Sequence, residues 1–227
     1  MLFRSNLEVQ AHALIIDVTF TRESISLPPS LENYAKGIAA VISRLEREHA
    51  GQYRNLFFDV QNEYQDTNQL SLPQAQSLIA TAHSARANAI VTASQDQAVG
   101  AVAAGANARG GAFDLAAFHD PRAPAWSEEP TIGAVITGVK TGLNGTVMPI
   151  VLDEPTRWDS DDTKSHFTDA ARWAKKHGAA LWVLHSASGY SLASSTWLAS
   201  SRRDEQLALS AIRSAVDAQA WGARIRE

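Results

Sequence analysis

Short apolar runs alternate with longer amphipathic segments along the chain, and this alternation constrains the fold more than any other feature. The six apolar runs lie at residues 13–20, 55–60, 89–93, 113–118, 147–152 and 180–184. Nearly continuous hydrophobic runs of this length are typical of parallel strands that are buried on both faces. The segments between them show helical periodicity, as in the apolar stripe of Leu31, Tyr34, Ile38, Val41, Ile42 and Leu45. The sequence therefore predicts an α/β fold built from βα units.

Two arrangements of such units compete, and the turn after the first strand helps to separate them. A doubly wound sheet would place a glycine-rich phosphate-binding turn there, whereas this chain has Asp17-Val18-Thr19-Phe20-Thr21. Six βα units in about 210 residues also match the pace of a (β/α)8 barrel, which needs roughly 250 residues for eight. We therefore expect a TIM-type (β/α)8 barrel, of which residues 1–227 supply about six units as one partial domain.

The composition argues against several classes of function. A formal net charge of −4 without a long basic run argues against a nucleic-acid partner. The absence of cysteine excludes disulfides and thiolate chemistry, and the seven histidines lack metal-ligand spacing, so neither a metal nor a cofactor is expected. We expect no membrane span, because no stretch approaches roughly 20 apolar residues. As written, the chain lacks a signal peptide and is expected in the cytoplasm, whereas a missing N-terminal segment would allow secretion.

Two glutamates directly follow predicted strands, where barrel enzymes build their active sites. The second strand runs into Asn62-Glu63, and the fifth runs into Asp153-Glu154. In a closed barrel these two strand ends face each other across the mouth. Hydrolysis of a glycoside with retention needs such a pair about 5–5.5 Å apart, since one carboxyl protonates the leaving oxygen while the other attacks the anomeric carbon. The spacing thus predicts a two-glutamate hydrolase site.

These motifs resemble those of clan A glycoside hydrolases, which include the family 5 cellulases and mannanases. In that clan an Asn-Glu pair ends strand 4 and a second Glu ends strand 7, so the strands found within residues 13–200 would be strands 3 to 8. The resemblance implies that Glu63 is the acid/base and Glu154 the nucleophile. It further implies that Asn62 donates a hydrogen bond to the sugar 2-hydroxyl and that His119, at the end of strand 6, supports the nucleophile.

Three further residues are candidates for contact with carbohydrate. Asp17 ends the first strand, His185 ends the last, and Trp158 lies in the loop after the fifth, where an aromatic face can stack on a sugar ring. A structural role is the alternative for each of them: a turn cap for Asp17, packing for His185 and a loop anchor for Trp158.

The chain departs from the family pattern in two respects. Pro121 stands where an aromatic residue usually follows the histidine, and the first two strands have no counterpart. An open sheet of six strands has exposed edges, so we expect either a piece of a longer protein or closure by self-association. The expected function is a retaining glycosidase that cleaves a poly- or oligosaccharide. The alternatives are a degenerate or truncated barrel that binds carbohydrate without hydrolysing it, and a lyase that uses two glutamates.

Overall fold

The computed structural model describes residues 16–20, 31–49, 56–64, 70–119, 125–153 and 164–183. Strands and helices alternate in this part of the chain, as predicted. The strands are β1 (Ile16–Thr19), β2 (Leu56–Asp59), β3 (Val91–Thr92), β4 (Ala116–His119), β5 (Ile150–Asp153) and β6 (Leu181–Trp182). The helices are α1 (Leu31–His49), α2 (Leu72–Ala85), α3 (Ala101–Gly110), α4 (Glu129–Leu143) and α5 (Lys164–His177), with a short 3-10 turn at Gln97–Val99. The spacing of Leu207, Leu209, Ile212 and Val216 predicts a last helix at about 203–221, which lies outside the described residues.

Local signals in the sequence set the ends of several helices. Ser71 precedes α2, and its backbone N–H donates to the side chain of Gln74, 2.7 Å away, in a capping box. Asn144 ends α4 in the left-handed conformation with φ 48°, and Gly178 follows α5 with φ 89°. A left-handed residue at this position is the common way to end a helix, because it satisfies the last carbonyl groups. In the sequence, Gly178 follows a segment with helical periodicity and so predicts the end of a helix, and the structure confirms this end for α5.

All strand pairs are parallel, and within each sheet the strands pair in the order of the sequence. Strands β1, β2 and β3 form one sheet, and β4, β5 and β6 form another. A single bridge joins the two sheets, because the N–H of Gln95 donates to Ala117 O (3.2 Å) and the N–H of His119 donates to Gln95 O (2.9 Å). The described strands therefore follow one another in sequential order without a reversal. The predicted mixed α/β fold with parallel sheets is confirmed.

The strand register places polar residues at one edge of the sheet. Asp59 pairs with Thr92 across β2 and β3, and His119 pairs with Asp153 across β4 and β5. Each of these residues is the last of its strand. Residues in register on parallel strands point to the same face, so their side chains converge at the carboxyl edge. The core below them is apolar and includes Phe57, Phe58, Phe118, Val151 and Leu152.

Helices α3 and α4 lie so close together that two of their contacts require glycine. A Cβ atom on Gly105 would overlap the carbonyl oxygen of Val139, and one on Gly142 would overlap that of Val102. Both obstacles are backbone atoms, which cannot rotate away as a flexible side chain would. The close approach therefore depends on residues without a side chain.

We expect Gly142→Ala to lower the free energy of unfolding by about 1–3 kcal/mol, because the added methyl group forces the two helices apart. Gly37→Ala in α1 is the matched control, since its Cβ would meet open space. That substitution is expected to raise stability by about 0.5–1 kcal/mol, as alanine restricts the unfolded chain more than glycine. Urea unfolding followed by circular dichroism measures both changes. Equal stability of the two variants would contradict the close helix contact.

Candidate functional site

Glu63 lies in the turn that follows β2, in a conformation that is rare for its residue type. Its φ is 47°, in the left-handed region, and its side chain is buried, with only 5% of the residue exposed. A non-glycine residue held in a sparsely populated region costs on the order of 1–3 kcal/mol and persists only when its surroundings fix it. Such residues cluster at functional sites. The backbone conformation of Glu63 therefore supports a functional role, as its place in the sequence does.

A network of hydrogen bonds fixes this turn against the end of β3. The carboxylate oxygen Oδ1 of Asp59 accepts from the backbone N–H of Gln61 (3.1 Å) and from that of Ser94 (3.0 Å). The hydroxyl of Ser94 accepts from the backbone N–H of Glu63 (3.1 Å). The carbonyl of Ser94 accepts from the N–H of Tyr64 (3.2 Å). Residues 61, 63 and 64 are therefore each held by a residue at the end of a buried strand.

His119 lies between two buried carboxyl groups. Its Nδ1 is 2.6 Å from Oε1 of Glu63, and its Nε2 is 3.7 Å from Oδ2 of Asp153. All three side chains are almost completely withdrawn from solvent. The contact with Glu63 is short enough to hold one proton between the imidazole and the carboxyl group. His119 and Glu63 are 56 residues apart in the sequence, and the fold brings them together.

Asn62 is also buried at this place, with its side-chain oxygen 3.5 Å from the hydroxyl of Ser94. Its backbone carbonyl accepts a hydrogen bond from the side-chain amide of Gln61 (3.1 Å). The structure thus collects three of the residues predicted from the sequence, namely Asn62, Glu63 and His119, at the carboxyl edge of the sheet.

The carboxyl group of Asp59 is completely buried beneath this turn. The pKa of Asp59 is raised to about 6: burial is the largest cause and the negative charge of Asp153 adds to it, while hydrogen bonds from Ser94 and the charge of His119 act in the opposite direction. Its second oxygen, Oδ2, accepts no hydrogen bond from any residue that the structure describes. Asp59 therefore takes up a proton at about pH 6, at the edge where Glu63 lies.

The other predicted site residues fall beyond what the structure describes. Glu154, Trp158 and His185 lie outside the described residues, and only the backbone of Asp17 is described. The prediction that Asp17 ends the first strand is wrong, because Asp17 is the second residue of β1 and pairs with Phe57. The separation of the Glu63 and Glu154 carboxyl groups, and the support of the nucleophile by His119, therefore stay predictions. So do the carbohydrate contacts assigned to Asp17, Trp158 and His185.

Three residues of the site were missed by the sequence reasoning. Asp59 lies within the apolar run at 55–60 and Asp153 directly follows the run at 147–152, so an acidic residue at the carboxyl end of each run is a signal that was present. Ser94 gave no such signal, because a lone serine after a strand is common in turns.

Within the described ranges, no group of three or more histidine, aspartate or glutamate side chains is arranged to hold a metal ion. No described helix is long and apolar enough to cross a bilayer.

Comparison with known proteins gives no match: no protein family, no curated protein and no solved structure matches this chain. A function for the protein is therefore inferred from the side chains at the sheet edge and from the sequence motifs that place them there.

Proposed function

We propose that this protein is a retaining glycoside hydrolase with a TIM-type (β/α)8 architecture, in which Glu63 is the acid/base and Glu154 the nucleophile. The observation that carries the proposal is the buried contact of 2.6 Å between Glu63 and His119 at the carboxyl edge of the parallel strands. In barrel enzymes this edge is where the active site is built.

The order of the strands supports the barrel. Parallel strands in sequential order, joined by right-handed crossovers, have all their helices on one face of the sheet. In this chain both faces of the strands are buried, as the neighbouring pairs Phe57 and Phe58, and Val151 and Leu152, illustrate. A curved sheet that faces itself across a barrel interior buries the face that no helix covers. The additional strands of a closed barrel would come from a longer chain or from a second copy.

The chemistry of double displacement requires the acid/base to change its charge twice. It gives a proton to the leaving oxygen in the first step and takes one from the attacking water in the second. The imidazole of His119 beside Glu63 offers a second position for that proton. Because both groups are buried, the proton passes between partners of fixed geometry and not through bulk water. The Glu63–His119 pair is thus suited to acid and base work in turn.

The end of β5 supports the choice of the nucleophile. Asp153, the residue before Glu154, has its carboxyl group 3.7 Å from His119, which itself contacts Glu63. The carboxyl end of β5 therefore lies beside the acid/base, as attack at a single anomeric carbon requires. Glu154 directly follows Asp153 in the sequence and is our candidate for attack on a sugar.

A panel of aryl glycosides, followed by labelling of the nucleophile, tests the proposal. We expect hydrolysis of at least one glycoside with retention of anomeric configuration, observed by proton NMR before mutarotation. A matching 2-deoxy-2-fluoro glycoside should trap the ester on Glu154, located by mass spectrometry of the digested protein. The Glu154→Gln variant is the control; it should remain unlabelled and lose at least about 10³-fold in turnover.

Three outcomes of this experiment would contradict the assignment. Labelling of Asp153 would show that Asp153, and not Glu154, is the nucleophile. Inversion of the anomeric configuration would exclude double displacement. Binding of an oligosaccharide without turnover would favour the alternative of a degenerate barrel that only binds carbohydrate.

A further inference from the structure

We propose that Ser94 is a positioning residue for the acid/base: its hydroxyl and its carbonyl hold the backbone on both sides of Glu63, so that the carboxyl group meets His119. This inference deepens the proposed glycosidase function and rests on it. Ser94 touches no reacting atom; it acts through the conformation of Glu63.

The contacts that carry the inference surround a single residue. The hydroxyl of Ser94 accepts from the N–H of Glu63 at 3.1 Å, and the carbonyl of Ser94 accepts from the N–H of Tyr64 at 3.2 Å. The first bond fixes the peptide before Glu63, and the second fixes the peptide after it. Since φ and ψ of a residue are set by its two flanking peptides, one serine restrains both backbone angles of Glu63.

Ser94 is itself held in place by Asp59. Its N–H donates to Oδ1 of Asp59 at 3.0 Å, and the same oxygen accepts from the N–H of Gln61, so a single buried carboxyl ties the turn to the end of β3. Ser94 is completely buried, so water does not compete for its hydroxyl. The hydroxyl also lies 3.5 Å from the side-chain oxygen of Asn62, so its neighbours are fixed groups of the same turn.

The conformation that these bonds hold is one that glutamate avoids. With φ at 47°, Glu63 has its Cα–Cβ bond in a direction that neither helix nor strand would give. If the backbone relaxed to a common region, the carboxyl group would move away from Nδ1 of His119. A displacement of about 1 Å in a catalytic group can lower a rate by about 10²-fold.

The experiment compares Ser94→Ala with Thr92→Val in the same protein. Thr92 is a matched control, because it is equally buried near the end of β3 and its hydroxyl donates to Leu115 O at 2.9 Å, away from the turn. Each substitution removes one buried hydroxyl. Ser94→Thr, which keeps the hydroxyl, tests for rescue.

The decisive readout is the dependence on the leaving group. A dinitrophenyl glycoside needs little protonation to break, whereas an alkyl glycoside depends on the acid. In Ser94→Ala we expect kcat/KM to fall about 10²-fold for the alkyl glycoside and less than about 10-fold for the dinitrophenyl glycoside. Thr92→Val and Ser94→Thr should keep the wild-type ratio between the two substrates. Equal losses on both substrates, or no loss on either, would overturn the role of Ser94 in positioning.

Amide exchange of Glu63 separates this inference from the glycosidase assignment. In the wild-type protein, NMR should show its N–H exchanging at least about 10²-fold more slowly than in an unfolded peptide. In Ser94→Ala the exchange should accelerate, while the N–H of Gln61, bonded to Asp59, stays protected. An unprotected Glu63 amide in the wild type overturns the inference without any variant. If the exchange behaves as expected but no glycoside is hydrolysed, the glycosidase function fails and the role in catalysis fails with it.

Discussion

Glu63→Gln is expected to lower kcat at least about 10³-fold for a glycoside with a poor leaving group. Glutamine has nearly the same shape, so it fits the buried position, but its amide cannot give a proton to the leaving oxygen. The loss in kcat/KM, which reports the first step, should be smaller for a dinitrophenyl glycoside, whose departure needs little acid. Glu32→Gln is the matched control, because Glu32 is exposed on α1 and pairs with Lys36 at the surface. That variant should keep the wild-type rate, and its stability should change by less than about 1 kcal/mol.

Azide distinguishes the role of Glu63 from that of Glu154. In Glu63→Gln, azide needs no base and should restore turnover while giving a glycosyl azide of retained configuration. In Glu154→Gln the azide attacks in place of the missing nucleophile, so the product should have inverted configuration. A Glu63→Gln variant with the wild-type rate on an alkyl glycoside would remove the acid/base assignment.

The mixed α/β class of the fold was predictable because each element has its own periodicity in the sequence. Helix α1 shows its apolar stripe, and the strands read as short hydrophobic runs. The strand ends were less predictable. The runs at 113–118 and 147–152 gave strands at Ala116–His119 and Ile150–Asp153, which begin and end later. Hydrophobicity cannot include a polar last residue such as His119 or Asp153, because such a residue is buried only through partners on other strands.

The site was predictable only where its residues follow strands directly. Glu63 and His119 were found because a polar residue at the carboxyl end of a buried strand points to function in such folds. The contact between Ser94 and Glu63 spans 31 residues and depends on two strand ends meeting. A pattern along one strand contains no information on such a contact. The left-handed turn at Glu63 was equally hidden, since glutamate has no preference for that region.

The stability of the protein is expected to depend on pH because of Asp59. Its carboxyl group is completely buried, and burial raises its pKa from an ordinary 3.8 to about 6. Between these two values the folded protein holds a proton that the unfolded chain has released. The free energy of unfolding therefore falls as the pH rises through this window, by about 1.4 kcal/mol per pH unit. The contribution of Asp59 to the free energy of unfolding is about 3 kcal/mol. It is fully present below about pH 4 and lost above about pH 6 to 7.

Asp59→Asn should remove this dependence, because the asparagine side-chain oxygen can accept the same two N–H groups without titrating. We expect the stability of this variant relative to the wild type to rise by about 3 kcal/mol between pH 4 and pH 7, measured by urea unfolding at each pH. The difference between the two proteins cancels most other titrations; His119 and Asp153, which interact with Asp59, are the exceptions. Ser94→Ala should shift the window to higher pH, since the hydrogen bond from the Ser94 side chain lowers the pKa of Asp59 and is lost in the variant. Parallel stability curves for wild type and Asp59→Asn would mean that Asp59 titrates alike in the folded and unfolded chains, contrary to its burial under the Glu63 turn.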